Sequence, residues 1–147
     1  MLFTILPVVL SAIPLVLAQY GGGGGSDATT SSASAQTTTD SATNGVHTVM
    51  VGNGGLNFSP SQITAKVGES VEFHFFGPKH SVAQSTFASP CTPASNTSFF
   101  SGPISTTGTS ANDQVYTITI NSTAAIWVYC AVPSHCESGM AAVINAP

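Results

Sequence analysis

Ile126-Trp127-Val128-Tyr129-Cys130-Ala131-Val132-Pro133-Ser134-His135-Cys136-Glu137-Ser138-Gly139-Met140 is the stretch on which the reading of this chain turns. It opens as a strand, an apolar run of β-branched and aromatic residues. The run ends on Cys130, and a turn-prone segment follows. Four residues separate Cys130 from His135, and four more separate His135 from Met140. A strand-loop-strand path of that length can return thiolate, imidazole and thioether to one end of a sheet. Gly139 helps, because the backbone must turn there to aim Met140 inward. A donor set that includes a thioether suits copper better than a hard cation. Taken singly, each residue has a plainer reading: Cys130 as a buried strand end or half of a disulfide, His135 as a surface loop residue, Met140 as core. Together they point to one ion.

A second imidazole must come from upstream, where His47, His74 and His80 are available. His74 lies mid-strand opposite Val71, Phe73 and Phe75, which directs it to solvent. His47 sits at a strand start beside a polar spacer and has no evident role. His80 follows the Gly77-Pro78-Lys79 break and opens the next apolar segment, so it falls at a sheet end, where a ligand is wanted. His80 is therefore the expected fourth donor.

The segments around this motif are short and apolar, divided by Gly, Pro, Ser and Asn. Strands are expected over residues 46–51, 62–67, 70–76, 80–84, 115–120, 126–130 and 140–144. In the first, either Val46, Thr48 and Met50 or His47, Val49 and Val51 face inward. Residues 85–113 are polar and carry Pro90, Pro93 and Pro103, so little helix can form there; Phe99, Phe100 and Ile104 should tack this stretch to the core. Seven or eight short strands and no sustained helical period predict an all-β fold, a two-sheet antiparallel β-sandwich.

Ahead of it, residues 1–18 are almost wholly apolar, with Val16 and Ala18 at the small-residue positions of a cleavage site. Pro7 and Pro14 disfavour a spanning helix, and the expectation is a cleaved signal peptide, with an uncleaved anchor as the lesser reading and no membrane span in the mature chain. Residues 19–45 are Gly, Ser, Thr and Ala with little to bury, which predicts a disordered spacer; Gly21 to Gly25 lacks the Gly-Lys-Ser/Thr of a phosphate loop. Residues 46–147 form the folded domain. Asn57, Asn96 and Asn121 each open a glycosylation triplet, that of Asn57 being compromised by Pro60. A secreted, extracellular glycoprotein, with cell-wall association as an option, is the expectation.

Lys66 and Lys79 are the sole basic residues against six acidic ones, for a net charge of −4. Two lysines exclude nucleic acid or an anionic membrane as partner. With three cysteines in an oxidising compartment, two can pair and one is left over, and metal coordination would account for it.

Cys130, His135 and Met140 at these spacings, with His80 about fifty residues upstream, resemble the blue-copper (cupredoxin) family. His135-Cys136 resembles its phytocyanin-like branch, and residues 46–145, with Val67-Gly68-Glu69, Phe73-His74-Phe75 and His80-Ser81-Val82, are similar to fungal extracellular serine-rich cupredoxins. The resemblance implies a Greek-key sandwich and one type 1 copper ion held by His80, Cys130 and His135, with Met140 as weak axial ligand. It also implies a Cys91–Cys136 disulfide, which agrees with the cysteine parity and would contribute about 4 kcal/mol in the chain-entropy model. Ser81 departs from the family, many of whose members carry Asn there. Longer relatives often end in a serine-rich tail and lipid-anchor signal, and residues 141–147 carry none.

The expected function is one-electron transfer by a monomer with an unidentified redox partner, with Val132 and Pro133 shielding the thiolate. No nucleophile or second base accompanies the ligands, so no enzyme activity is expected. The competing readings are a copper-binding wall protein without redox turnover, structural zinc at the same donors, and a Cys130/His135 hydrolase in which Met140 would have no role.

Overall fold

The computed structural model describes residues 43–107 and 114–147. The expected signal peptide and all but the last residues of the spacer lie outside them. The described residues hold eight strands and no helix: β1 (Val46–Val51), β2 (Phe58–Ser59), β3 (Gln62–Ile63), β4 (Ser70–Phe75), β5 (Ala83–Ser85), β6 (Val115–Thr119), β7 (Ile126–Tyr129) and β8 (Ala141–Ile144). They form two four-stranded sheets, ordered β2-β1-β4-β6 and β3-β8-β7-β5. The sandwich is as expected, but it is not wholly antiparallel. β1 runs parallel to β4, and β3 parallel to β8. Both sheets are therefore mixed, and the parallel pairs join strands whose order in the chain allows a crossover between sheets.

Alternation decides which side chains go inside. Val71, Phe73 and Phe75 of β4 are fully buried, and register pairs them with His47, Val49 and Val51 of β1. The second of the two proposed inward sets in β1 is thus the buried one. From the opposite sheet Ile63, Val128, Ala142 and Ile144 meet them in one continuous core. Cys130 continues the inward set of Val128, and Met140 that of Ala142 and Ile144, so both belong to that core.

Six of the seven expected strands are shorter than the sequence implies, four of them by a single residue. β3 stops at Ile63 because the side chain of Asn145 takes over the pairing: Ala65 N–H donates to Asn145 Oδ1 and Asn145 Nδ2 donates to Ala65 O, both at 2.9 Å. Beyond it Val67 is exposed. β5 begins at Ala83 rather than at residue 80. His80 instead exchanges two backbone hydrogen bonds with Ile104, at 3.0 and 2.8 Å. β8 begins at Ala141, with Met140 between it and the turn that ends at Gly139. Phe99 and Ile104 pack on the core as expected, whereas Phe100 is exposed.

Candidate metal centre

β7 carries Cys130 just past its last paired residue, Tyr129, which lies opposite Ala141 of β8. One step further Cys130 N–H donates to Met140 O at 3.2 Å, so the two sulfur residues face each other where the strands part. The loop between them is held by its own backbone. His135 N–H donates to Val132 O, Gly139 N–H to Cys136 O and Met140 N–H to His135 O, at 3.1, 2.8 and 3.0 Å. Gly139 turns the chain with φ 98°, a value that side chains resist. These bonds return His135 to the end of β7, with its Nδ1 3.4 Å from Cys130 Sγ.

His80 arrives in the connection from β4 to β5, at the far side of the Gly77-Pro78 turn. Its ring lies 5.1 Å from that of His135, centroid to centroid. A nitrogen of each imidazole and Cys130 Sγ all fall within 4.8 Å of one another, close enough to share an ion. Met140 is fully buried in the same core cluster as Cys130. His74, by contrast, lies half-buried on the other face of β4 with Nε2 3.1 Å from Glu72. His47 is buried but turned to Glu69, at 2.8 Å.

The donors suit a soft or borderline metal ion. Cys130 is buried and unpaired while the other two cysteines are joined. His80 Nδ1 is buried without a hydrogen-bond partner. A buried polar atom in that condition is costly, and a ligand would satisfy it. Burial, and then the charge of neighbouring His135, pushes His80 below the ordinary histidine value. The neutral imidazole, with a lone pair to offer, is thereby favoured, as ligation requires.

Ser81, the departure from the family pattern, fastens the centre by another route. Its N–H donates to Cys130 Sγ at 3.3 Å, and its hydroxyl oxygen accepts from Ala131 N–H at 2.8 Å and lies 3.7 Å from the same sulfur. A serine in an apolar strand gives no sequence signal for this role. Of the two residues expected to shield the thiolate, Val132 packs on the core, while Pro133 is exposed. Cys91 and Cys136 are bonded, tying the ligand loop to the polar stretch before β6.

Residues 45–146 match the family model for copper-binding proteins of the plastocyanin/azurin type. The chain belongs to that family. Its cofactor is one type 1 copper ion, and the donor set just described fits it. Among relatives, this cupredoxin is 41% identical over 99 residues to an extracellular serine-rich protein of Arthroderma benhamiae, a match covering 67% of this chain and 38% of that one. It is 37% identical over 107 residues to the protein of the same fungus called probable GPI-anchored cupredoxin-1, covering 73% and 54%. The chain thus spans between a third and just over half of the length of these two relatives. Among solved structures, the purple cupredoxin of Nitrosopumilus maritimus aligns with TM-score 0.50 at 15% identity over 66% of this chain and 95% of the other. Auracyanin B does so with TM-score 0.50 at 12% identity over 69% and 88%. At such identities these likenesses speak for the fold.

Proposed function

We propose that this cupredoxin is a secreted one-electron carrier in which His80, Cys130 and His135 are the equatorial ligands and Met140 the weak axial one. The observation that carries it is the meeting of two imidazoles, from the β4–β5 connection and the β7–β8 loop, at the sulfur of a buried, unpaired cysteine. Copper held by these residues would supply reversible one-electron chemistry. The chain's own residues do the rest. Ser81 donates to the thiolate and lowers its electron density, which favours the reduced state. The paired strands and the bonded loop hold the four donors in place, so little needs to rearrange as charge changes.

Electrons would leave by His135. The residue is half-buried, and its ring borders a shallow, largely apolar hollow of about 340 Å³ that Leu56, Phe76, Pro78 and His80 also line. An apolar rim around a ligand edge suits brief docking, in which little charge has to be desolvated. The apolar residues 1–18 support export, and Asn57, Asn96 and Asn121, all exposed, remain candidates for sugar attachment.

The decisive measurement is the optical spectrum of the copper-loaded protein. Intense visible absorption from thiolate-to-copper charge transfer is expected, and it should vanish in Cys130→Ser. His80→Ala should abolish it while His74→Ala leaves it intact; the reverse pattern would overturn the ligand set. A second reading, a copper-holding surface protein without redox turnover, draws on the GPI-anchored relative. Slow electron self-exchange in the loaded protein would favour it over the carrier.

A further inference from the structure

Beyond the ligands themselves, two glycines meet the back of His80. β1 and β4 run parallel and finish level, Val51 opposite Phe75, and Phe76 N–H continues the ladder to Val51 O at 2.8 Å. Both chains then turn through a glycine of positive φ, Gly52 at 80° and Gly77 at 74°. A Cβ added at Gly52 would stand 2.2 Å from His80 Nε2 and 2.3 Å from its Cδ2. Carbon atoms never come that close without a bond. The ring therefore lies directly on the bare Cα of Gly52, along its Nε2–Cδ2 edge. At Gly77 the added Cβ would be 3.5 Å from the same nitrogen, an ordinary contact.

We propose that Gly52 is a positioning residue for His80: its missing side chain is the seat that receives the Nε2 edge of the imidazole and leaves Nδ1 as the atom offered to copper. This deepens the ligand assignment above and rests on it for its purpose. The steric fact needs no metal. His80 is 3% exposed and its Nδ1 has no partner of its own, while the Gly52 backbone lies against its opposite edge. Seating the ring from behind, rather than bonding it from the front, keeps Nδ1 free for the ion. Any side chain at position 52 would push the imidazole toward His135 and Cys130.

Gly54 supplies the control. Its φ of 79° matches that of Gly52, so alanine meets the same backbone strain there, yet nothing lies within 4 Å of the added Cβ. The test is a double-mutant cycle on metal-free protein, read as thermal midpoints. Gly52→Ala should lower the midpoint by several degrees more than Gly54→Ala, and the excess should largely disappear on a His80→Ala background. An excess that persists without the imidazole would assign the clash to Phe76 O, 2.8 Å away, and overturn the proposal. If Gly52→Ala does not fold, recovery of folding in Gly52→Ala/His80→Ala supports the seat, and failure of both overturns it.

In the copper-loaded protein, Gly52→Ala should shift or lose the charge-transfer band and release copper to a chelator at least tenfold more readily. Gly54→Ala should keep the wild-type spectrum. An unchanged spectrum in Gly52→Ala would also sink the proposal. Should the wild-type protein itself give no such band, the ligand reading fails, while the metal-free cycle still decides whether Gly52 seats His80.

Discussion

Ser81 illustrates how much one side chain can settle. It is fully buried, and its hydroxyl oxygen already accepts from Ala131 N–H. Its own proton must point elsewhere, and Cys130 Sγ at 3.7 Å is the acceptor at hand. With the Ser81 N–H at 3.3 Å, the sulfur then has two donors from one residue. Donors to a thiolate weaken its gift of charge to the oxidised metal and raise the potential. Ser81→Ala should therefore lower the reduction potential and shift the charge-transfer band, while the backbone donor remains. It should also cost about 1 kcal/mol of stability through the lost Ala131 hydrogen bond. Voltammetry and urea denaturation of the same sample separate the two effects. An unchanged potential would reduce Ser81 to a fastener between loops.

At the scale of strands and turns, the end of the sheet near Glu69, where β1 and β4 begin, carries the sharpest pH expectation. Glu69 Oε2 accepts from His47 Nε2–H of β1 and from Lys66 N–H, each at 2.8 Å, and Ile120 N–H donates to Glu69 O at 2.8 Å. The His47 bond first, then the Lys66 bond, hold this carboxyl below its ordinary value of 4.5. A depressed carboxylate contributes stability that is complete above the unfolded-state value and is lost as pH falls through the folded one. Denaturation midpoints should accordingly decline with acid below about 4.5, the ordinary value, and Glu69→Gln should flatten part of that decline. A Gln variant with the full wild-type slope would locate the acid sensitivity elsewhere. This clasp also marks a limit of reading by sequence. β4 was legible because Val71, Phe73 and Phe75 alternate over a strand long enough to show a period. β2 has two residues and no period, so Phe58 and Ser59 reveal themselves only by pairing with Val51 and Met50. β3 was overextended because the side chain that replaces its ladder, Asn145, is 80 positions from Ala65. The meeting of His80, Cys130 and His135 was legible for the opposite reason: Cys130 and His135 are local, and His80 follows a Gly-Pro break. His47 was set aside as a ligand, and its partner is instead Glu69, 22 positions away and not evident from the sequence.

Across the whole molecule, the metal centre joins parts that local structure alone would leave separate. His80 belongs to a segment bridged to Ile104, Cys130 follows β7 and Met140 precedes β8 at one end of that sheet's central pair, and the Cys91–Cys136 bond spans 45 positions to hold the ligand loop. Two constraints thus act on one end of the sandwich, and they act on different states. The disulfide chiefly restricts the unfolded chain, by about 4 kcal/mol for a loop of this length. Copper bound at the folded donors stabilises the native state by mass action, by up to about 2.7 kcal/mol at a hundredfold excess over its Kd. The two should therefore be separable. Replacing both cysteines by serine should lower the thermal midpoint of copper-loaded and copper-free protein alike, while the visible spectrum at low temperature keeps its form, because the loop has its own hydrogen bonds from His135, Gly139 and Met140. Removing copper by chelation should lower the midpoint in both proteins by a similar amount. Calorimetry of the four samples gives the answer. If loss of the disulfide also erased the charge-transfer band, the loop's backbone bonds would be insufficient to hold His135, and the bond would have to be counted as part of the native centre.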